Sequence, residues 1–183
     1  MQWLSWKDGR RRQRRSAQLV IDKYGDPDEA TDSTLIWNKP GPWKRIVAYR
    51  DFDPHNFPAP HNDSVESFLE HSIPPEKAGP LAEFDGSVAF NRTRGELSAR
   101  CHDEEANFLA LNLANDVAEG KKTVDEARDY YAHEFLAFRK KEPMPYMEGL
   151  KFQPSGGPDR DHRVLSDEQL KEAEEAGKVK QAP

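Results

Sequence analysis

Residues 88–101 read VAFNRTRGELSARC, and a run that begins acidic and turns apolar, DEEANFLALNLANDVAE, follows at 103–119. In the first stretch Arg94-Gly95 separates two alternating segments, which is the pattern of a β-hairpin. Taken as a two-residue turn, it sets Thr93 opposite Glu96, Phe90 opposite Ala99 and Val88 opposite Cys101. Partners across a hairpin share a face, so Val88, Phe90, Leu97, Ala99 and Cys101 form one apolar side. Asn91, Thr93, Glu96, Ser98 and Arg100 form the other, expected to face water. In the second stretch Ala106, Leu109, Ala110, Leu113 and Val117 recur at helical spacing, and Phe108 and Leu111 widen the stripe. Asp103 is placed to cap that helix, and Glu104 and Glu105 suit its positive end. A hairpin with one apolar face followed by a well-buried helix gives the expected fold class. It is α+β: a single domain of antiparallel β-hairpins packed on one face by helices.

Downstream, Gly120 closes the first helix and Thr123-Val124-Asp125-Glu126 is a capping box for a second. There Val124, Ala127, Tyr131, Phe135 and Phe138 share a face, and Pro143 ends the segment. Residues 154–183 carry no aromatic side chain and include Gly156-Gly157-Pro158, so a flexible polar tail is expected. Within it, the capping box Ser166-Asp167-Glu168-Gln169 can start one short helix.

Upstream, Ala17, Val20, Ile21 and Tyr24 fit a short amphipathic helix ended by Gly25. Thr34–Asn38 and Trp43–Arg50 read as a further hairpin around Lys39-Pro40-Gly41-Pro42. Residues 51–63, DFDPHNFPAPHND, hold three prolines and are expected to be a loop, too interrupted for a helix or central strand. Ser64–Ile73 fits a helix or a strand equally, and Pro74-Pro75 opens a short helix reaching Phe84. The chain thus divides into a basic arm (1–15), an α+β domain (16–153) and a polar tail (154–183).

Composition excludes some classes. No apolar run approaches the roughly 18 residues that cross a bilayer, so an integral membrane protein is not expected. The single cysteine, Cys101, cannot form an internal disulfide, and no secretory h-region precedes the domain, so a cytoplasmic location is expected. Charge is placed unevenly. Residues 1–15 carry six basic side chains and one acidic, while the other 168 residues carry 21 basic and 32 acidic.

That asymmetry marks Arg10, Arg11, Arg12, Arg14 and Arg15 as a candidate anion-binding run. Its partner would be an acidic protein surface, a nucleic acid or an anionic membrane surface; the run would equally serve as a solvated helix start. Asp51, Asp53, His55, His61 and Asp63 crowd into thirteen residues and could ligate a divalent metal or perform acid–base chemistry. Their spacing matches no named metal motif. Cys101-His102 resembles a nucleophile and its base, but neighbours on a strand point to opposite faces, which favours a packed thiol. Arg92, Arg94, Arg100 and Glu96 read as cross-strand ion pairing on a solvent face. Asn107, Asn112 and Asn115 on a largely apolar helix require either an internal polar network or a ligand pocket.

The function expected from these features is that of a non-enzymatic accessory or interaction protein tethered to an anionic partner by its arginines. The alternatives are a small enzyme or metal-binding protein using the 51–63 segment, and a small-ligand carrier. No cofactor identity follows from the sequence.

Overall fold

The hairpin at 88–101 forms, with a longer turn than its sequence suggests. The computed structural model describes residues 11–180, with side chains from Arg15 to Lys178. Strands β5 (Val88–Asn91) and β6 (Glu96–Cys101) pair Asn91 with Glu96, Phe90 with Leu97 and Val88 with Ala99. The turn is therefore Arg92–Gly95, held by Gly95 N–H on the Arg92 carbonyl and Arg94 N–H on Asn91 Oδ1. Gly95 takes a left-handed φ of +60°, which glycine adopts without a Cβ penalty. The register differs from the expected one by two residues, one full strand period, so the face assignments of the paired residues survive, while Thr93 passes into the turn.

Among the described residues six strands form one antiparallel sheet: β1 (Glu29–Ala30), β2 (Thr34–Asn38), β3 (Arg45–His55), β4 (His61–Glu70), β5 and β6, in the order β1-β2-β3-β4-β6-β5. Helices α1 (Arg11–Tyr24), α2 (Ala78–Phe84) and α3 (Glu104–Ala118) cover one face, and α4 (Val124–Lys140) packs on α2 and α3. Helix α5 (Asp167–Lys180) lies exposed near the C-terminus. The core is the shared interior of sheet and helices. It contains Leu35, Trp37, Ile46, Val65, Leu97 and Ala99 from the sheet, Val20 from α1, Phe84 from α2, and Leu109 and Leu113 from α3.

Local chemistry explains the elements. Asp103 caps α3 by accepting from Ala106 N–H, and the Thr123–Glu126 capping box starts α4. Gly25, at φ +84°, ends α1. Glu104 accepts from Tyr24 Oη, Lys23 Nζ and Trp43 Nε1, at 2.5, 2.6 and 2.6 Å, so the acidic first turn of α3 fastens α1 and the β2–β3 turn. Helix α1 begins at Arg11, so the structured region reaches into the expected arm.

Three expectations are corrected. Residues 51–63 are not a loop throughout: β3 runs to His55 and β4 starts at His61, with Asp53–Asp63, Pro54–Asn62 and His55–His61 as pairs. A register shift between Ala48 and Asp53 absorbs the extra residues of β3 at 49–52, as bulges do, and pairing resumes from Asp53 through Pro54 to His55. The hairpin's polar face is not open to water either, for Glu96 and Ser98 are buried. Arg45 forks onto Glu96 at 2.7 and 3.0 Å, while Glu66 accepts from Tyr49 and Ser98, both at 2.7 Å. Finally, the start of the tail is docked. Ser72 N–H donates to the Ser155 carbonyl, Ser72 Oγ to the Gly157 carbonyl, and Arg92 pairs with Asp159 and Asp161.

Candidate metal centre

Alternate residues of β4 point to one face, so His61 and Asp63 extend the row that continues through the buried Val65, Ser67 and Leu69. Val65 pairs with Cys101, the last residue of β6, which brings the Cys101 thiol beside that row. Asp103 then begins the cap of α3, leaving His102 at the junction between strand and helix. Alternation stops with the strand, and the His102 ring returns to Cys101, its Nδ1 lying 3.3 Å from Cys101 Sγ. On the other side His61 Nε2 lies 3.4 Å from the same sulfur. One donor atom from each of His61, Cys101 and His102 falls within 4.8 Å of the other two.

The far nitrogen of each ring decides what the near one offers. His61 Nδ1 lies 2.8 Å from the Ala59 carbonyl, which can only accept, so Nδ1 carries a proton and Nε2 is the nitrogen that presents a lone pair in the neutral ring. His102 Nε2 lies 2.9 Å from Asp103 Oδ2, so the same holds for its Nδ1. Metal-bound histidines commonly have this outer arrangement: the distal N–H held by a carbonyl or carboxylate, the other nitrogen presented inward. For zinc bonds of roughly 2.3 Å to sulfur and 2.0–2.1 Å to nitrogen, tetrahedral geometry requires an N···S edge of about 3.5 Å. The two observed separations are 3.3 and 3.4 Å.

Asp63 adds a buried carboxylate, 3% exposed. Its Oδ2 accepts from Ser87 Oγ at 2.5 Å and lies 3.2 Å from His55 Nδ1, which fixes the group. Its Oδ1 stands 2.9 Å from His61 Nε2 yet takes no well-directed hydrogen bond. Two atoms bearing lone pairs at that distance repel unless a positive charge, a proton or a metal ion, lies against them. Burial pushes the His61 imidazole down, but Asp63 and the Ala59 carbonyl outweigh it and hold its pKa above the ordinary value. Burial, with the Asp63 and Asp103 carboxylates, pushes the Cys101 thiol well up. Asp85, in the α2–β5 turn, lies 3.7 Å from His55 Nε2, and burial raises its carboxyl pKa.

His61, Cys101 and His102 line a cavity of about 10 Å³, closed elsewhere by Leu109, Tyr131 and Met147 among others. That is room for one water or one ion. His61 and His102 also line a cleft of about 530 Å³ between α1, the β3–β4 end of the sheet and α4.

Of the residues singled out in the sequence, the structure brings His55, His61 and Asp63 together, and a second triad of ligand atoms is formed by these three. Asp51 and Asp53 stand exposed on β3, Asp53 paired with Arg100. Cys101 is buried as expected, but with both imidazoles against its sulfur. His102 joins the site despite the alternation argument against it, and Asp103, Asp85 and Ser87 join it with no sequence signal beyond the helix cap. Arg15 is exposed at the cleft, while Arg10 and the side chains of Arg11, Arg12 and Arg14 lie outside the described residues. The three asparagines bond within the protein. Asn107 donates to Ser67 Oγ and the Val65 carbonyl, Asn112 spans the 146–151 turn, and Asn115 reaches His71 and Glu119. No helix among the described residues is long and apolar enough to cross a membrane. Comparison of the chain with protein-family models, curated proteins and solved structures finds no match.

Proposed function

We propose that the protein binds one transition-metal ion of the zinc class through His61 Nε2, Cys101 Sγ and His102 Nδ1, and uses it on a small molecule held in the adjoining cleft. The observation that carries this reading is the pair of imidazoles. Each is anchored through its distal nitrogen, and each turns the other nitrogen to the same buried sulfur. Thiolate and imidazole are the ligands such ions take. Three protein donors beside an open cleft suit a catalytic site, which keeps a coordination position for substrate, rather than a closed structural one. Asp63 Oδ1 supplies the nearest further carboxylate and the negative charge that favours a cation.

Cys101-His102-Asp103 also has the order of a thiol–imidazole–carboxylate relay. A nucleophilic cysteine needs a thiolate within reach of its substrate, however; burial disfavours the thiolate, and Cys101, unlike His61 and His102, does not line the cleft. A bound cation reverses the first effect, because a coordinating thiol is deprotonated outright. The test is loading with Co²⁺. Wild-type protein should bind one equivalent with a thiolate-to-cobalt charge-transfer band, and C101S should lose the band. An absent band in folded wild-type protein would overturn the reading.

The arginine run supports a second role, attachment to an anionic partner. Four of its five members stand on the first turns of α1, whose Ala17 and Val20 are packed in the core, so their charge is carried on an anchored helix. Replacing Arg10, Arg11, Arg12 and Arg14 with Gln should abolish a salt-sensitive association without altering the fold; unchanged association would remove this role.

A further inference from the structure

The cleft beside the candidate metal centre has walls of two kinds. Leu19 of α1 is 46% exposed and Phe138 of α4 is 42% exposed, and both line it together with Phe52 and Phe135. Core packing does not account for Leu19 and Phe138. Helix α1 turns Ala17 and Val20 inward and α4 turns Ala127, Tyr131 and Ala137 inward, so Phe138, expected in the core stripe, ends at the cleft instead. Arg15 and Arg139 line the same cleft, and neither has a carboxylate partner among the described residues. Asp103 is also in the wall, but its carboxylate is engaged by His102 and the Ala106 N–H.

We infer that this cleft binds an amphipathic small molecule with an oxyanion head group, the head held by Arg15 and Arg139 and the apolar body lying on Leu19, Phe52, Phe135 and Phe138. The inference rests on the metal reading only for the cleft's floor, where His61 and His102 would present the ion to the ligand. Its physical basis is complementarity. Guanidinium groups fork onto carboxylate or phosphate oxygens, and the exposed aromatic and aliphatic surface gains by burial against a hydrocarbon body. A volume of about 530 Å³ lies in the range of small-molecule sites. A second basic surface or a nucleic acid fits less well, the first for its charge and the second because the cleft lies over buried, apolar-walled ligands.

The test uses the full chain loaded with Co²⁺ and three probes of equal chain length: octanoate, octyl phosphate and octanol. Calorimetric titration reads binding, and the cobalt absorption spectrum reads approach to the metal. Saturable 1:1 binding of octanoate or octyl phosphate, with octanol at least about tenfold weaker, is expected. Whichever anion binds more tightly assigns the head group as carboxylate or phosphate. R139Q and R15Q should each weaken that anion about tenfold and leave octanol unchanged, while F138S should weaken all three probes. Equal binding of octanol and the anions, no binding of either anion, or binding unchanged in both arginine variants would overturn the inference. Failure of the metal reading is seen separately, as no cobalt band before any probe is added.

Discussion

Asp103 accepts with both carboxylate oxygens. Oδ1 takes the Ala106 N–H at 2.9 Å and caps α3; Oδ2 faces His102 Nε2, also at 2.9 Å. The substitution Asp103→Asn preserves the first contact and inverts the second. Asparagine caps helices as well as aspartate does, so its carbonyl takes the Oδ1 position. Its amide nitrogen then stands where Oδ2 stood and offers N–H to His102 Nε2. The ring responds by holding its proton on Nδ1, and Cys101 meets an N–H in place of a lone pair. Losing such an orienting partner lowers metal affinity by about 10–100-fold, or about 1.4–2.7 kcal/mol. The lost charge at the helix start weakens the fold by only about 0.3–1 kcal/mol. Competition for Zn²⁺ against a chromogenic chelator reads the first quantity, and urea unfolding of metal-free protein reads the second. D103N should thus fold almost as the wild type does and hold zinc far more loosely. If it holds zinc as tightly as the wild type, His102 does not ligate through Nδ1.

Two further outcomes follow from contacts away from the metal. Arg45, ahead of Lys44, holds the Glu96 carboxyl down to about 2 from its ordinary 4.5, and Glu96 is 6% exposed. A depressed folded pKa stabilises above the unfolded value, and that gain is lost as pH falls from about 4.5 to 2. The stability difference between wild type and E96Q, measured by urea unfolding, should therefore shrink by on the order of 3 kcal/mol between pH 6 and pH 2; a difference independent of pH would refute the pairing. At the docked tail, Gly156 has φ +97°, and a Cβ there would clash with Ser72 Oγ and stand 2.6 Å from Ser72 Cβ. G156A should release residues 155–161 at a cost of about 1–3 kcal/mol, seen as faster amide exchange there with the sheet unchanged.

The fold is legible in the sequence wherever period and capping agree. The pattern of Val88, Phe90, Leu97, Ala99 and Cys101 survives a wrong turn length because the error is a whole strand period. The caps at Asp103 and Thr123 fix the starts of α3 and α4. What fails are inferences from composition alone. Prolines in 51–63 argue against strands, yet Pro54 is paired near the end of β3, and Pro58 and Pro60 fall in the short connection before β4. The lack of aromatics after residue 153 argues for a free tail, yet backbone groups of 155–159 bond to Ser72, His71 and Arg92, contacts that need no side-chain signal.

The site is hidden in the sequence for a more specific reason. Its ligands come from two places far apart in the chain, the start of β4 and the end of β6, and only the Val65–Cys101 pairing joins them. No spacing motif can encode a contact made across a sheet. Yet the relation between Cys101 and His102 does follow from local residues. Adjacent strand residues oppose each other only while the strand lasts. Asp103 has the position of a cap for α3, and a cap requires the preceding strand to have ended. His102 therefore has to lie in the junction, free of alternation and held by the neighbouring carboxylate. Here, at the passage from β6 into the capped α3, thiol and imidazole meet, whereas neighbours inside a strand would point to opposite faces. In this chain the cap that starts α3 also aims the His102 ring at Cys101, so one carboxylate serves both the helix and the candidate metal centre.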